Sequence, residues 1–536
     1  MRLLVAAVLC ALAVSSHSSE TVGPYSQWVR PNAEGKLAYA TTLTGDHIVD
    51  FSYAGYRGGG VALPDAPVAE TLTPSGGDDT AALQSALDRV AIRAAKANTP
   101  QALVLAPGMF HLSGPINVSA SNLVLRGSGR EKTIVQLTGT PHIGFILGFN
   151  SSSAPANPDE DSAAPSVDEP DPTKTPHART RLADTYIPAG TRQLPVASAE
   201  GFAIGDSILI KRAITPDYLR FMGMDHLERA GRTEHWIGNS ITTERRVAAI
   251  RGNILILDVP ITDDYDPRFS GGTSTTVTAV PAPARIHDSG IEGLTLTAPS
   301  VSIPLDAPHF DAIHITSAED VWLRDIDIRD TTNFIQVEAP ARRVTIDRVD
   351  LTERKPITSP AKPFGFSLAG TQTLVMRSSA HGDKIFFAAT QARIQGPNVL
   401  LDCDFTGDQA VEPHQRWSTG FLVDNVHVHG GGIHFINRGE MGSGHGWTIG
   451  WSVIWNSTAD ELVAQLPPGS INLVIGSKGQ RRRQPMPIKG ARGHNEGPDL
   501  PEAIYDSWNK PVEPRSLYLQ QLTDRLGPDA VKNLGY

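Results

Sequence analysis

Three segments of the chain gather side chains that can hold, give up or remove a proton beside an anion. They are HGDKIFFAATQARIQGPN (381–398), GDQAVEPHQRWSTG (407–420) and INRGEMGSGHGW (436–447). Within them Lys384, His414, Arg416, Arg438 and His445 are of types suited to catalysis. β-Elimination at a uronic acid needs donors on the carboxylate to acidify C5, a base for that proton and an acid for the leaving oxygen. Arg416 and Arg438 carry forked donors that match a carboxylate. Lys384 or His414 can be the base where burial or a nearby cation lowers its pKa. His445 is then the acid or a sugar contact. His381, Asp383, Glu412 and Asn437 complete a polar lining, and Trp417, Trp447 and Trp451 offer rings to sugar faces. Each has a plainer reading: Lys384 as a surface lysine, Arg438 as a partner for Glu440 or Glu412, His445 as a backbone-satisfying turn residue, Trp451 as packing. The cluster weighs more than its members, because separate segments contribute to it.

Something must bring these segments together. A pattern of apolar, any, apolar, any, polar, apolar, any, apolar returns as SGIEGLTL (289–296), VWLRDIDI (321–328), VTIDRVDL (344–351), NVLLDCDF (398–405) and FLVDNVHV (421–428), with a degraded copy, LVMRSSAH, at 374–381. The starts are separated by 32, 23, 30, 24 and 23 residues. Each unit alternates like a strand. The central polar residue (Asp325, Arg348, Asp402, Asn425) breaks the alternation once, as a corner does. A second apolar run follows most copies, as in FIQV (334–337), FGFSL (364–368), IFFAA (385–389) and GIHFI (432–436). A turn of about 23 residues with several short strands describes one coil of a parallel β-helix. A β-sandwich fits less well, because Asn-Gly hairpin signals are missing between the repeats. Coils stack at about 4.8 Å, so residues remote in sequence line up along one lateral face.

The totals agree with a large, loop-rich β protein. The chain has 536 residues, 49 of them Gly and 40 Pro, and a net charge of −10. That balance speaks against nucleic acid as partner, which calls for a basic face. Residues 1–18 read as a secretory signal: Arg2, the apolar run Leu3–Val14, then small residues. No other segment reads as a membrane span. A secreted or periplasmic location follows. Removal of Cys10 with the signal leaves Cys403 as the single thiol, in an apolar slot of its repeat and so a core residue.

The remaining segments divide as follows. Residues 19–149 hold a surface wrap, a helix within GGDDTAALQSALDRVAIRAAKA (76–97) capped by Asp78, Asp79 or Thr80, and the first strands. Residues 150–180 are a Pro-, Ser- and Asp-rich loop. Residues 181–265 form a β-rich insertion whose Trp236, His235 and Arg232 could edge a sugar groove. The main β-helix takes 266–480 and a tail with a helix over 516–527 takes 481–536.

GDDTAALQSALD, then VLAPGMFHLSG, then LVLRGSG resembles the opening of the pectate-lyase-like superfamily of right-handed parallel β-helix proteins. The resemblance, over a little more than half the chain, implies an all-β right-handed parallel β-helix with an N-terminal capping helix. It does not fix the reaction, since that superfamily holds lyases, hydrolases, epimerases and phage spikes. HFDAIHI (309–315), with His309 and Asp311, is similar to the Asp-bearing strand of polygalacturonase-type hydrolases, and GSGHGWTIGW (442–451) to their Gly-His-Gly segment. No adjacent Asp-Asp follows Asp311 in the next coil, where TTNFIQV (331–337) stands, and the two motifs lie much farther apart than in those hydrolases. The expectation is therefore a secreted lyase acting on an acidic polysaccharide, with hydrolysis second and a non-catalytic adhesive solenoid third. The protein is expected to act as a monomer, although a larger assembly stays open. No cofactor is implied. Calcium, used by some related lyases, has no motif of its own here.

Overall fold

The computed structural model describes residues 25–139, 142–149, 178–229, 232–233, 236–269, 275–299, 310–354, 363–441, 444–485 and 500–536. The signal reading (1–18), most of the 150–180 loop, His235 and His309 lie outside them.

The chain winds into a parallel β-helix whose 27 strands form three ladders along the stack. The first runs through Leu103, Leu125, Ile291, Leu323, Ile346, Val375, Leu400, Val423, Ile454, Val474 and Tyr505 in register. The second runs through Phe110, Val135, Leu296, Ile328, Leu351, Ala380, Phe405, Val428 and Ala459. The third runs through Phe145, Ile313, Ile335, Phe366, Ala388, Val411, Ile433 and Leu462. One apolar core fills the space between them.

The corner between the first and second sheets explains the sequence pattern. Asp325, Arg348, Asp402 and Asn425 all have left-handed backbone, with φ of 57°, 52°, 51° and 52°. Gly293 (68°), Arg377 (49°) and Asn456 (45°) continue the same column. A left-handed residue turns the strand without leaving the ladder, and short polar side chains tolerate it best. Cys403 follows one such corner. It is buried, and burial pushes its thiol up to about 12, so it is a core residue as expected.

The helix Thr80–Ala97 lays Leu83, Ala86, Leu87, Val90 and Ala94 on the first coils and ends at a left-handed Asn98. Asp79 is its N-cap residue, but its carboxylate accepts from the N–H groups of Ser75 and His111 instead. The C-terminal helix Leu517–Leu526, capped by Ser516 and stopped by Gly527, covers the outer face of the first sheet together with the N-terminal wrap. Asp506, at the end of the last first-sheet strand, fastens the wrap to the stack, accepting from Ser26 Oγ at 2.7 Å and Gln27 N–H at 2.6 Å. No helix among the described residues is long and apolar enough to cross a membrane.

The insertion is wider than the sequence suggested. Its six-stranded antiparallel sheet begins at Arg179–Arg181 and closes with Thr276–Val280, so 181–265 misses a strand at each end. Those strands flank the Pro-rich loop and a Gly-Gly-Thr-Ser run, which disguised them as linker. The insertion sits on the turns that lead from the third sheet back to the first. Thr262 Oγ1 meets Thr419 Oγ1 at 2.8 Å, and Arg245 donates to the carbonyl of Gly396 at 2.9 Å. Glu244 bridges Arg285 (2.6 Å) and Arg342 (3.2 Å) across the same seam.

Candidate active site

The outer face of the third sheet carries the densest polar chemistry. One outward column reads His314, Gln336, Ser367, Ala389 in paired register and continues through Glu412 and His434. Beside it run Asp311, Asn333 and, from later coils, Phe364 and Phe386. The residues just beyond these strands form a further column, Glu338, Ala369, Gln391 and His414. Their N–H groups bond back to Ile315, Val337, Leu368 and Thr390 in turn.

His414 and His445 stand at the centre. Gln391 Nε2 donates to Ser367 Oγ at 2.9 Å, which turns the amide oxygen toward His414 Nδ1, also at 2.9 Å. That arrangement makes Nδ1 the protonated nitrogen and puts the lone pair of a neutral ring on Nε2. The ring of His445 meets that of His414 edge-on at 4.7 Å, and Phe364 closes another side at 5.2 Å. Both histidines are nearly buried, at 5% and 3% exposure. The backbone of His445 is held as well, because its carbonyl accepts from Arg416 N–H at 2.9 Å and from Trp236 Nε1 at 2.8 Å.

An alternating chain of charges runs past this pair. Arg438 Nε is 3.2 Å from Glu412 Oε1, Glu412 Oε2 is 2.8 Å from His434 Nδ1, His434 Nε2 is 2.9 Å from Glu461, and Arg482 Nε is 3.0 Å from Glu461. Burial alone would lower the pKa of His434, but the hydrogen bonds to Glu412 and Glu461 outweigh it and raise it to about 9. Farther down the face His314 lies between Asp311 (3.0 Å) and Glu338 (2.9 Å). There too the carboxylates outweigh burial and raise the imidazole to about 9. Sequence reasoning missed His314, His434, Glu338 and Glu461. The Asp-x-x-His spacing in FDAIHI was a usable signal for the first.

The fates of the expected residues divide. Glu412, His414, Arg416, Arg438 and His445 do come together, from two of the three segments, 407–420 and 436–447. Arg438 is not poised for a substrate carboxylate: it pairs with Glu412, donates to the carbonyl of His414 at 2.9 Å and lies over the Phe386 ring. Lys384 is displaced from the group. It sits exposed at a left-handed turn (φ 62°) between the second and third sheets, its N–H on Asp408 Oδ1. His381 and Asp383 are exposed on the same corner, and His381 pairs with Thr406 on the second sheet. A short sequence distance to the strand Phe386–Thr390 hid the fact that a corner intervenes.

The tryptophans are corrected too. Trp417 donates to Asp263 at 2.9 Å and meets Trp236 edge-on at 6.1 Å, while Trp447 donates to the Met222 carbonyl. Asn437 is equally enclosed, its N–H on Gln465 and its Oδ1 accepting from Gly439. All four side chains belong to the seam with the insertion, so their rings and amide do not face a sugar. Trp451 is buried as well, as its packing alternative has it. Asp311 joins His314 instead of the His414 pair, and its Oδ1 accepts from Asn333 at 3.0 Å. Among the described residues, no three His, Cys, Asp or Glu side chains are arranged to hold a metal ion.

No protein-family model and no curated protein matches the chain. Solved structures do. A double mutant of the tailspike protein of E. coli bacteriophage HK620 is 10% identical, with 86% of this chain and 66% of that one covered and a TM-score of 0.40. PfbA, a surface adhesin of Streptococcus pneumoniae, is 9% identical over 76% of this chain and 78% of its own, with a TM-score of 0.35. The A-module of the Azotobacter vinelandii mannuronan C-5 epimerase AlgE6 is 10% identical over 86% and 98%, with a TM-score of 0.29.

Proposed function

We propose that the outer face of the third sheet binds an acidic polysaccharide and that His414 and His445 cleave it beside a uronate by β-elimination. The observation that carries this reading is the line Ser367–Gln391–His414–His445, which orients one imidazole as a base and sets a second beside it. His414 takes the C5 proton on Nε2. His445 gives a proton to the leaving oxygen. Arg416, two residues from His414 and with its N–H on the His445 carbonyl, supplies the guanidinium for the uronate carboxylate, and Arg438 acts by holding Glu412 and the His414 carbonyl. The apolar run Leu3–Val14 supports export, where such polymers occur.

Hydrolysis stands second. It needs one carboxyl kept protonated and another ionised. The acids of this face are each engaged by an imidazole, Asp311 and Glu338 by His314, Glu412 and Glu461 by His434. Carboxyls that burial pushes up lie elsewhere: Asp424, to about 7, and Asp347 on the first sheet, Asp264 in the insertion and Asp50 in the N-terminal wrap. The test is incubation with a panel of uronate polymers. Elimination gives an unsaturated product that absorbs in the ultraviolet. New reducing ends without absorbance would establish hydrolysis, and retention without either product would leave an adhesive.

A further inference from the structure

The third-sheet face is not electrically uniform. At the His434 end, Arg438, His434 and Arg482 alternate with Glu412 and Glu461. At the other end His314 stands between Asp311 and Glu338. Between them the outward column is uncharged: Gln336, Ser367, Ala389.

Glu338 is built to meet something. Its backbone is fixed at both faces, by its N–H on the Ile315 carbonyl (2.8 Å) and by Ala341 N–H on its own carbonyl (2.9 Å). His314 Nδ1 holds one carboxylate oxygen at 2.9 Å. Yet 37% of the side chain remains open, against 7% for His314 and 10% for Asp311. The carboxylate is thus aimed and accessible at once. It lies three register steps from His414 in the same column, about 14 Å along the stack. A fixed carboxylate accepts strongly from a pair of hydroxyls. It repels a second carboxylate, so it selects by exclusion as well as by attraction. Gln336, which continues the column from His314, adds an amide at that end.

We infer that Glu338, positioned by His314, forms a subsite for an uncharged, hydroxyl-rich sugar ring. The polymer recognised then alternates uronate units with neutral ones and is not a homopolyuronate. The inference rests on the polysaccharide reading of this face, but not on elimination as the reaction.

The experiment measures binding, so that it does not depend on turnover. Affinity electrophoresis of the full chain is run with a homopolyuronate (polygalacturonate) and with a polymer alternating uronate and N-acetylhexosamine (hyaluronan). Wild type is expected to be retarded more by the alternating polymer. Glu338→Gln, which keeps the size and removes the charge, is expected to weaken that retention about tenfold, the scale of one hydrogen bond to a charged group. It is expected to strengthen retention by the homopolymer. Glu338→Asp, charged but shorter, should lie between. Equal loss on both polymers, no change on either, or no retention of wild type by the alternating polymer overturns the subsite. Selective retention without ultraviolet product keeps the subsite and discards only the elimination reading.

Discussion

The imidazole of His414 meets that of His445 edge to face, 4.7 Å apart, with the two residues drawn from different coils. Two imidazolium cations at this distance repel, so the pair is suited to carrying one proton between two rings. His414→Gln and His445→Gln are each expected to lower kcat/KM for the cleaved polymer by about 10²–10⁴-fold. The double variant should be little worse than the single ones, because the rings act as a unit. Initial rates by ultraviolet absorbance, with circular dichroism as a control for folding, check this. Lys384→Ala should retain its rate; loss of activity there would return the exposed corner to the site.

Glu412 is held by Arg438 on one side and His434 on the other, in a buried setting. Glu412→Gln leaves both cations underpaired. Breaking a buried ion pair in this way costs about 3–5 kcal/mol. Urea unfolding followed by tryptophan fluorescence should show a lowered midpoint. An unchanged midpoint would mean that the chain of charges contributes little to stability.

Stability should fall as solution turns alkaline. His434 and His314 are raised from 6.5 to about 9 when folded, so the native state binds more protons between those values. Their contribution is full below pH 6.5 and is lost as pH rises through 9. Asp424, raised from 3.8 to about 7 mainly by burial and partly offset by Ser516 and Tyr518, adds a decline with the same sign between those values. Thermal unfolding midpoints across pH should therefore decrease from mildly acidic to alkaline solution. His434→Gln should flatten the alkaline part, and an unflattened curve would remove His434 as its source.

Trp417 fills the seam between the coils and the insertion, with Trp236 and Trp447 in the same cluster. Trp417→Ala is expected to cost about 3–5 kcal/mol of cavity and lost packing. Limited proteolysis should then cut within 179–280 before the coils are attacked. Simultaneous cleavage throughout would show that the insertion and the stack unfold as one.

The coil pattern was legible because period-two alternation and one left-handed corner per turn leave a mark in every repeat, down to Asp325, Arg348, Asp402 and Asn425. The capping helix and the C-terminal helix were legible from Leu83, Leu87 and Val90 and from Gly527. The site was legible only as a density of polar residues. A repeat unit fixes where a strand lies along the stack, but not which corner a neighbouring residue falls on. Lys384, two positions before Phe386, was therefore assigned to the wrong face. Nor does a sequence show what an insertion will cover, which is why Trp417, Trp447 and Asn437 looked available. His314 and His434 escaped notice because a histidine inside an apolar strand resembles a core residue until its two carboxylate neighbours are seen.

The knot at Asp506, where Ser26 and Gln27 are tied down, has a mechanical meaning. An open solenoid can peel away one coil at a time from a loose extremity. Here the beginning and the finish of the described chain are strapped across the flank of the stack, Tyr518 Oη reaching the Ala54 carbonyl at 2.9 Å. Fraying must first undo that buckle, so the stack should resist pulling far better than its simple coils alone would.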